Sequence, residues 1–484
     1  MAEAAGLNYP AREQFGAKPG GMRNDSMGCQ STSFAVPFRV RSVTWQVFRI
    51  FLRRHTDGPV MKFIHAADVH LDSPMRGLEE YVGAPVERLR LATRRAMDHV
   101  VELCLAEHVE FLLIAGDLFD TACRDFNSAL SVVAQLQRLN RAGIPVYLIL
   151  GNHDSHDEMV RRVPWPENVT VFKHDEPHTV RHPRLPVAIH GMSYPKREVF
   201  DNLVPAYPGP CADCFNIGVL HTNAGGNLDH TPYAPCSIDE LAAKGYDYWA
   251  LGHVHDYQVL HERPYIAYSG TTQGRHAKEL GAKGCLLVTV EDRQVAAVEF
   301  RHTDVMRWYR ETITLQPDDD ETALLDRARQ ALRQISHLAD GRLAAVRLQF
   351  EGRCNVHQQL SRDATRQQIV ANLRGLAGDF GDDIWIEKIK FRTQSPLNLD
   401  AMRLRQDLVG DLLRNIAEIA EDPTQLIRLS EELLKPLMSR AGAELAPRED
   451  GFEAMNLDDP QRLVAWLRDA EELLLSHLAE ESTP

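Results

Sequence analysis

Seven residues in this chain have the types and the setting to bind metal: Asp68 and His70 in "ADVH", Asp117 in "AGDLFD", Asn152 in "GNHD", His221 in "LHTN", and His253 and His255 in "LGHVH". They offer carboxylate, imidazole and amide oxygen but no thiolate, a set that favours manganese, iron or a catalytic zinc over a structural zinc knot. Seven groups exceed what one tetrahedral ion uses and suit a pair of cations about 3.5–4 Å apart, which activates a bridging water and neutralises charge developing on a phosphoryl group. Asp117, with two oxygens, could bridge such a pair. In extended chain, residues i and i+2 share a face with Cα atoms roughly 6.5 Å apart. That spacing would let Asp68 and His70 converge, and likewise His253 and His255, with Val254 turned away. The leaving oxygen of a phosphoester also benefits from a proton donor, for which His153 is the candidate, with Asp154 available to orient it.

These residues need elements to hold them. From Met61 onward, apolar β-rich runs such as "MKFIHAAD", "FLLIAGD", "PVYLILGNHD", "FNIGVLHTN" and "YDYWALGHVH" alternate with helical patterns. The alternation predicts an α/β class: a layered domain of β-sheets flanked by helices. Asp68, Asp117, Asn152, His221 and His253 each follow the point where an apolar strand gives out, the edge at which open α/β sheets bind ligands. One such ending is an ordinary turn residue; five in order along one domain are not. Gly151 and Gly252 are read as glycines that let the backbone turn tightly beside the ions.

Near residue 300 the rhythm changes. "RWYRETITL", "LAAVRLQFEG" and "DIWIEKIKF" read as strands, "DDDE" opens one helix and "RDATRQQIVANLRGLA" forms another. The expected organisation is an N-terminal extension over 1–60, poorly structured and consistent with an over-extended start, and a catalytic domain over 61–300. A small α+β capping domain over 301–395 and a helical region over 396–484 follow. In that last region Leu408, Leu412, Ile416 and Ile419 make one apolar stripe.

The chain has 484 residues and a net charge of −14, from 54 Lys+Arg against 68 Asp+Glu, so its overall field does not advertise a nucleic-acid binder. Of eight cysteines only Cys211 and Cys214 make a CxxC pair, which is half of a four-thiolate site. Neither a secretory signal nor an apolar run of transmembrane length is visible, so a cytoplasmic location with no membrane partner is expected.

"DVH", "GDLFD", "GNHD", "LHTN" and "GHVH", in that order, resemble the five blocks of the calcineurin-like metallophosphoesterases. The resemblance covers roughly residues 61 to 300. It implies one ion held by Asp68, His70, Asp117 and His255, and another by Asp117, Asn152, His221 and His253, with His153 as the acid. "FIHAADVHLDSP", "YAPCSIDELAAKGYDYWALGHVH" and "GTTQGRHAKELGAKGCLLV" look like the SbcD-like DNA repair exonucleases, and like their YhaO-type members in particular. That closer likeness implies a Mn²⁺-dependent nuclease that cuts DNA from ends, with a helical tail engaging an SbcC-like coiled-coil ATPase; a homodimer is also compatible. Some relatives carry a histidine after "GDLF" where this chain has Asp120, so that histidine's role does not transfer.

Rival readings are a phosphoesterase of the same fold acting on cyclic nucleotides or other small diesters, and a silent scaffold for the ATPase. Protein phosphatases of this superfamily place an arginine where this chain has Thr121. Arg275 and His276 in "TQGRH" are candidate grips for backbone phosphates, and Arg88, Arg90, Arg94 and Arg95 form a second basic group in a predicted helix.

Overall fold

The first strand, β1 (Met61–Ala66), shows how the layers are made. Successive side chains of a strand point to opposite faces. Phe63 accordingly joins one buried cluster and Ile64 another. In β2 (Phe111–Ala115) the same split puts Phe111, Leu113 and Ala115 on one side and Leu112 and Ile114 on the other. A strand that is apolar on both faces must be covered on both faces.

The computed structural model describes residues 60–73, 84–120, 126–155, 160, 162–226, 230–396, 399–441 and 459–480. The expectation of a loose extension over residues 1–60 falls almost wholly outside these residues, as does Thr121.

Two six-stranded sheets form the centre. β1 and β2 are joined by β3 (Val146–Ile149), β4 (Val169–Val171), β11 (Gly284–Glu291) and β12 (Gln294–His302), in the order β12-β11-β1-β2-β3-β4. β5 (His178–Arg181), β6 (Val187–Gly191), β7 (Phe215–His221), β8 (Tyr248–Gly252), β9 (Gln258–Glu262) and β10 (Tyr265–Tyr268) form the second, ordered β5-β6-β7-β8-β10-β9. The site-bearing strands β1, β2 and β3 run parallel in one sheet, and β7 and β8 run parallel in the other. Phe63, Phe111, Tyr147, Phe215, Ile217 and Tyr248 fill the space between the sheets, each such side chain contributing about 1.5–3 kcal/mol by burial. Helices Ala92–Ala106 and Phe126–Arg141 cover the far face of the first sheet. Helix Ile238–Ala243 covers the far face of the second.

β13 (Met306–Thr314), β14 (Leu343–Arg353) and β15 (Ile384–Gln394) pair in parallel as a third sheet. Helix Glu321–Ala339 begins where Asp320 accepts the amide of Ala323 at 2.9 Å, as the acidic run predicts. It packs on the sheet with helix Asp363–Gly375 around Val346, Leu348, Phe350 and Ile386. The opposite face of this sheet, through Trp308, Ala345 and Trp385, packs against Leu89, Ala92 and Ala277.

Helices Leu408–Glu421, Pro423–Ala441 and Pro460–Glu480 end the chain. Here the predicted stripe needs correction: Leu408 is 82% exposed, whereas Leu413 is fully buried. Leu408 is the first helical residue after the cap Asp407, and it projects from the helix end rather than into a neighbour. Among the described residues, no helix is long and apolar enough to cross a membrane.

One polar group ties the two large sheets together. His65 of β1 is fully buried, its Nδ1 lying 3.0 Å from the Tyr248 hydroxyl and its Nε2 3.1 Å from the Leu251 carbonyl, both on β8. Burial pushes the His65 pKa down to about 3, against some opposition from the Leu251 carbonyl. The folded state therefore keeps His65 neutral where the unfolded chain would protonate it. Its contribution to stability is full above about pH 6.5 and falls as pH drops from there toward 3, by about 1.4 kcal/mol per pH unit. Replacing His65 with Gln should lower stability at pH 8 and flatten the loss of melting temperature between pH 6.5 and 4. An unchanged pH profile in the variant would show that another group sets it.

Candidate metal centre

Asp68 and Asp117 follow adjacent parallel strands, β1 and β2, and both carboxyls are almost wholly buried. Asp68 accepts the backbone amide of His253 at 3.1 and 3.0 Å through its two oxygens, and Asp117 accepts that of His153 at 2.9 Å. The chain reaches these positions through left-handed bends: φ is 50° at Asp68, 44° at His70, 51° at Asp117 and 100° at His253. Such conformations cost on the order of 1 kcal/mol each in non-glycine residues and concentrate at functional sites.

This corrects the extended-chain argument for the two i, i+2 pairs. β1 ends at Ala66 and β8 at Gly252, so Asp68, His70, His253 and His255 lie in the bends that follow. Val254 is indeed buried away from the cluster, within the apolar core behind β8. The bends send the two histidines to different ends: the His255 ring lies 5.2 Å from that of His70, and the His253 ring 5.2 Å from that of His221. Gly151 and Gly252 need correction too. Neither has positive φ; a Cβ at Gly151 would sit 2.3 Å from Asp117 Oδ1, and one at Gly252 2.0 Å from the Ala115 carbonyl. Close approach of backbone to ligand, rather than a tight turn, excludes a side chain there.

At one end, the Nε2 atoms of His70 and His255 lie 3.3 Å apart and 4.0 and 3.9 Å from Asp68 Oδ1. Two ring nitrogens facing each other across a carboxylate can share one proton, or turn both lone pairs to one cation. Among the described residues, His70 Nδ1 is buried with no hydrogen-bond partner. At the other end, His221 Nε2 lies 3.4 Å from Asp117 Oδ2 and 3.0 Å from Asn152 Oδ1, while its Nδ1 faces the Ala115 carbonyl at 3.0 Å. His253 Nε2 is engaged by the Thr231 carbonyl at 2.9 Å, leaving Nδ1 as its available lone pair. The donor set fits two divalent cations, one that Asp68, His70 and His255 would help hold and one that Asn152, His221 and His253 would, with Asp117 offering oxygens to either.

The electrostatics agree. Burial pushes the Asp68 carboxyl up, against the imidazoles of His221 and His255. Burial also opposes charge on Asp117, yet His221, His70 and His153 together outweigh it and hold that carboxyl well below its usual range. His221 is raised to about 9, because Asp117 and Asp68 overcome its burial. Burial, followed by the charge of Arg275, holds His70 well below its usual value, and burial with His221 holds His253 at about 3. In the metal-free cluster His221 thus carries the proton that a cation would replace.

His153 lies at the margin, its side chain 29% exposed and its ring 4.7 Å from that of His70. Asp154 does not orient it: the Asp154 carboxyl accepts the amides of Leu118, Phe119 and Gly151 at 3.0, 2.7 and 3.2 Å, clamping the two loops together. The acid facing His153 Nδ1 is Asp120, at 3.9 Å. Arg275, read as a phosphate grip, is instead held by Asp120 at 3.4 Å and Glu279 at 3.1 Å, while the His276 side chain is 55% exposed.

The sequence reading missed Glu279 and His230. Glu279 lies 2.7 Å from His255 Nδ1, which fixes the ring so that Nε2 faces the site. The His255 hydrogen bond and Arg275 overcome its burial and keep it ionised, well below its usual pKa. The spacing of Arg275 and Glu279 at i, i+4 was the available signal. The His230 ring stands 5.5 and 5.6 Å from the rings of His253 and His255, in a loop with no strand ending to mark it.

The profile described as "Calcineurin-like phosphoesterase" matches residues 61–257, and "Metallophosphoesterase YhaO, middle domain" matches residues 308–394. The chain is 33% identical over 343 residues to the metallophosphoesterase YhaO of Bacillus subtilis (strain 168), a match covering 70% of this chain and 83% of that protein. Among solved structures, TT1561 of Thermus thermophilus is 14% identical, the match covering 48% of this chain and 99% of that one with a TM-score of 0.29. A dimetal phosphatase from Danio rerio is 10% identical, covering 48% of this chain and 94% of its own, again with a TM-score of 0.29.

Because a cation must displace the His221 proton, Mn²⁺ binding near pH 7.5 should release about one proton, measured by titration calorimetry in buffers of different ionisation enthalpy. Apparent affinity should rise with pH below 9. Glu279→Gln should weaken that binding by about 10–100-fold with the fold intact. Unchanged affinity would remove Glu279 from the site's support.

Proposed function

Because the chain belongs to the calcineurin-like metallophosphoesterases of YhaO type, a family of phosphoester hydrolases, we propose that it is a DNA phosphodiesterase of repair, acting from strand ends. The observation that carries this reading is the seven-donor cluster, six of its members buried and His255 partly so, with His153 at its margin. Two divalent cations, taken as Mn²⁺, held by Asp68, His70, Asp117 and His255 and by Asp117, Asn152, His221 and His253, would supply charge neutralisation at the phosphoryl group and a lowered pKa for the attacking water.

The chain's own residues do the rest. His153 reaches solvent from the cluster's edge, where its imidazole can give a proton to the departing ester oxygen. Glu279 and Thr231 fix the rings of His255 and His253, so that no reorientation is needed when substrate arrives.

The rim supports a diester over a monoester. Asp120 and Glu279 put two carboxylates beside the site, and the guanidinium of Arg275 is already committed to both. A phosphomonoester brings a second negative charge that these acids repel, while a diester brings one. A cyclic or other small diester would satisfy the same argument, so extended DNA rests on the motif likeness.

The region over 396–484 is proposed as the attachment for an SbcC-like coiled-coil ATPase in the cytoplasm, a role supported by the exposure of Leu404, Leu408 and Leu433.

With Mn²⁺, the protein should shorten linear DNA while sparing covalently closed circles. His153→Ala should slow this by about 10²–10⁴-fold with Mn²⁺ binding retained, and Asp117→Asn should lose both. Turnover of a generic phosphomonoester with both DNAs left intact would sink the reading; gel assays of the three substrates side by side decide it.

A further inference from the structure

A chain with 68 acidic against 54 basic side chains must meet a polyanion locally. Three of the basic side chains conspicuous in the sequence are engaged within the protein, while Arg90 and Arg95 are exposed on the helical side. Arg94 grips Asp72 with two nitrogens, at 2.6 and 2.5 Å, Arg88 donates to the Asp382 carbonyl at 2.5 Å, and Arg275 lies between Asp120 and Glu279.

The register of the three-stranded sheet gathers cations instead. Its inner face is apolar, with Val346, Leu348, Phe350, Ile386, Ile389 and Phe391 against the helices. Its outer face starts with Trp308, Ala345 and Trp385, buried against the phosphoesterase layers. One step further along the strands, Arg310 pairs in register with Arg347, and Arg347 with Lys388. Lys390 and Arg392 follow on the same face, each pair of residues advancing about 6.6 Å.

Two carboxylates answer these five cations. Glu387 is buried and paired to Arg347 at 2.8 Å, and Glu351 lies opposite Arg392 in register. The excess is felt locally: burial, then the like charges of Arg347, Lys388, Arg392 and Arg310, lower the pKa of the Lys390 ammonium. Arg310 and Arg392 are exposed, and Lys388 and Lys390 half-exposed.

The face also leads toward the metal centre. Arg310 donates to the carbonyl of Ala277 at 3.4 Å, and Ala277 lies in the loop whose Arg275 and Glu279 touch His255. We propose that Arg310, Lys388, Lys390 and Arg392 form a platform for the phosphate backbone of a nucleic acid, conducting a strand across the third sheet to the metal centre. The inference rests on the phosphodiesterase reading above. Contacts of this kind position a strand without reading its bases.

The test is fluorescence anisotropy of a labelled DNA oligonucleotide over a range of salt, using the full chain with Ca²⁺ in place of Mn²⁺. Lys388→Glu/Lys390→Glu and the milder Lys388→Gln/Lys390→Gln are compared with wild type, each checked by melting temperature. Binding should weaken tenfold or more in the charge-reversed pair, and the slope of log affinity against log salt should fall by about 1.5. Turnover of bis(p-nitrophenyl) phosphate with Mn²⁺ should stay unchanged. Wild-type affinity and slope in both pairs would overturn the platform while leaving the nuclease reading standing. A parallel fall in small-diester turnover in the Gln pair would also overturn it, since the effect would lie in the site itself. A wild-type protein that hydrolyses the small diester yet neither binds nor cuts DNA would overturn both.

Discussion

Two carboxylates buried at the ends of neighbouring strands set the terms for everything around them. Asp68 and Asp117 lie where an isolated ion would cost several kcal/mol even after relaxation, so the surroundings are organised to compensate. Backbone amides of His253 and His153 are delivered to them, imidazoles of His70, His221 and His255 close in, and four residues accept left-handed bends to make this possible. The two sheets with their helical covers provide the rigid frame on which such strain can persist. His65, bonded across the sheet interface, keeps β1 and β8 in fixed relation, and these are the strands from which Asp68 and the two histidines emerge.

How much of this was legible in the sequence follows from the range of each interaction. The strand endings were readable because an apolar run that finishes in Asp, Asn or His is a local pattern, and the layered α/β fold followed from the same runs. Direction was not readable: spacing at i, i+2 implies extended backbone, whereas φ at Asp68, His70 and His253 is positive. Asp154 illustrates the same limit. Next to His153 in sequence, it spends its oxygens on Leu118 and Phe119, more than thirty residues away. Asp120 and Arg275 meet across 155 residues of separation, beyond the reach of any spacing argument.

The charge distribution carries a related lesson. The balance of acids and bases over the whole chain says little about any one face, because register rather than composition brings Arg310, Arg347 and Lys388 into one row. Of the helical cluster of arginines, more conspicuous in the sequence, two members are drawn into internal pairing: Arg94 holds Asp72, and Arg88 reaches the turn before β15.

The loop from Gln273 to Gly281 belongs to two parts of the molecule at once. Gln273 donates to the Met306 carbonyl at 2.9 Å, Trp308 Nε1 to the Gly274 carbonyl at 3.1 Å, and the Gly281 amide to the Trp308 carbonyl at 2.9 Å, while Glu279 in the same loop holds His255. The third sheet is therefore joined to the metal centre through a short loop. The same nine residues thus serve as hinge pin for one layer and as splint for a ligand of another, so the seating of β13 and the aim of the His255 ring share one set of bonds.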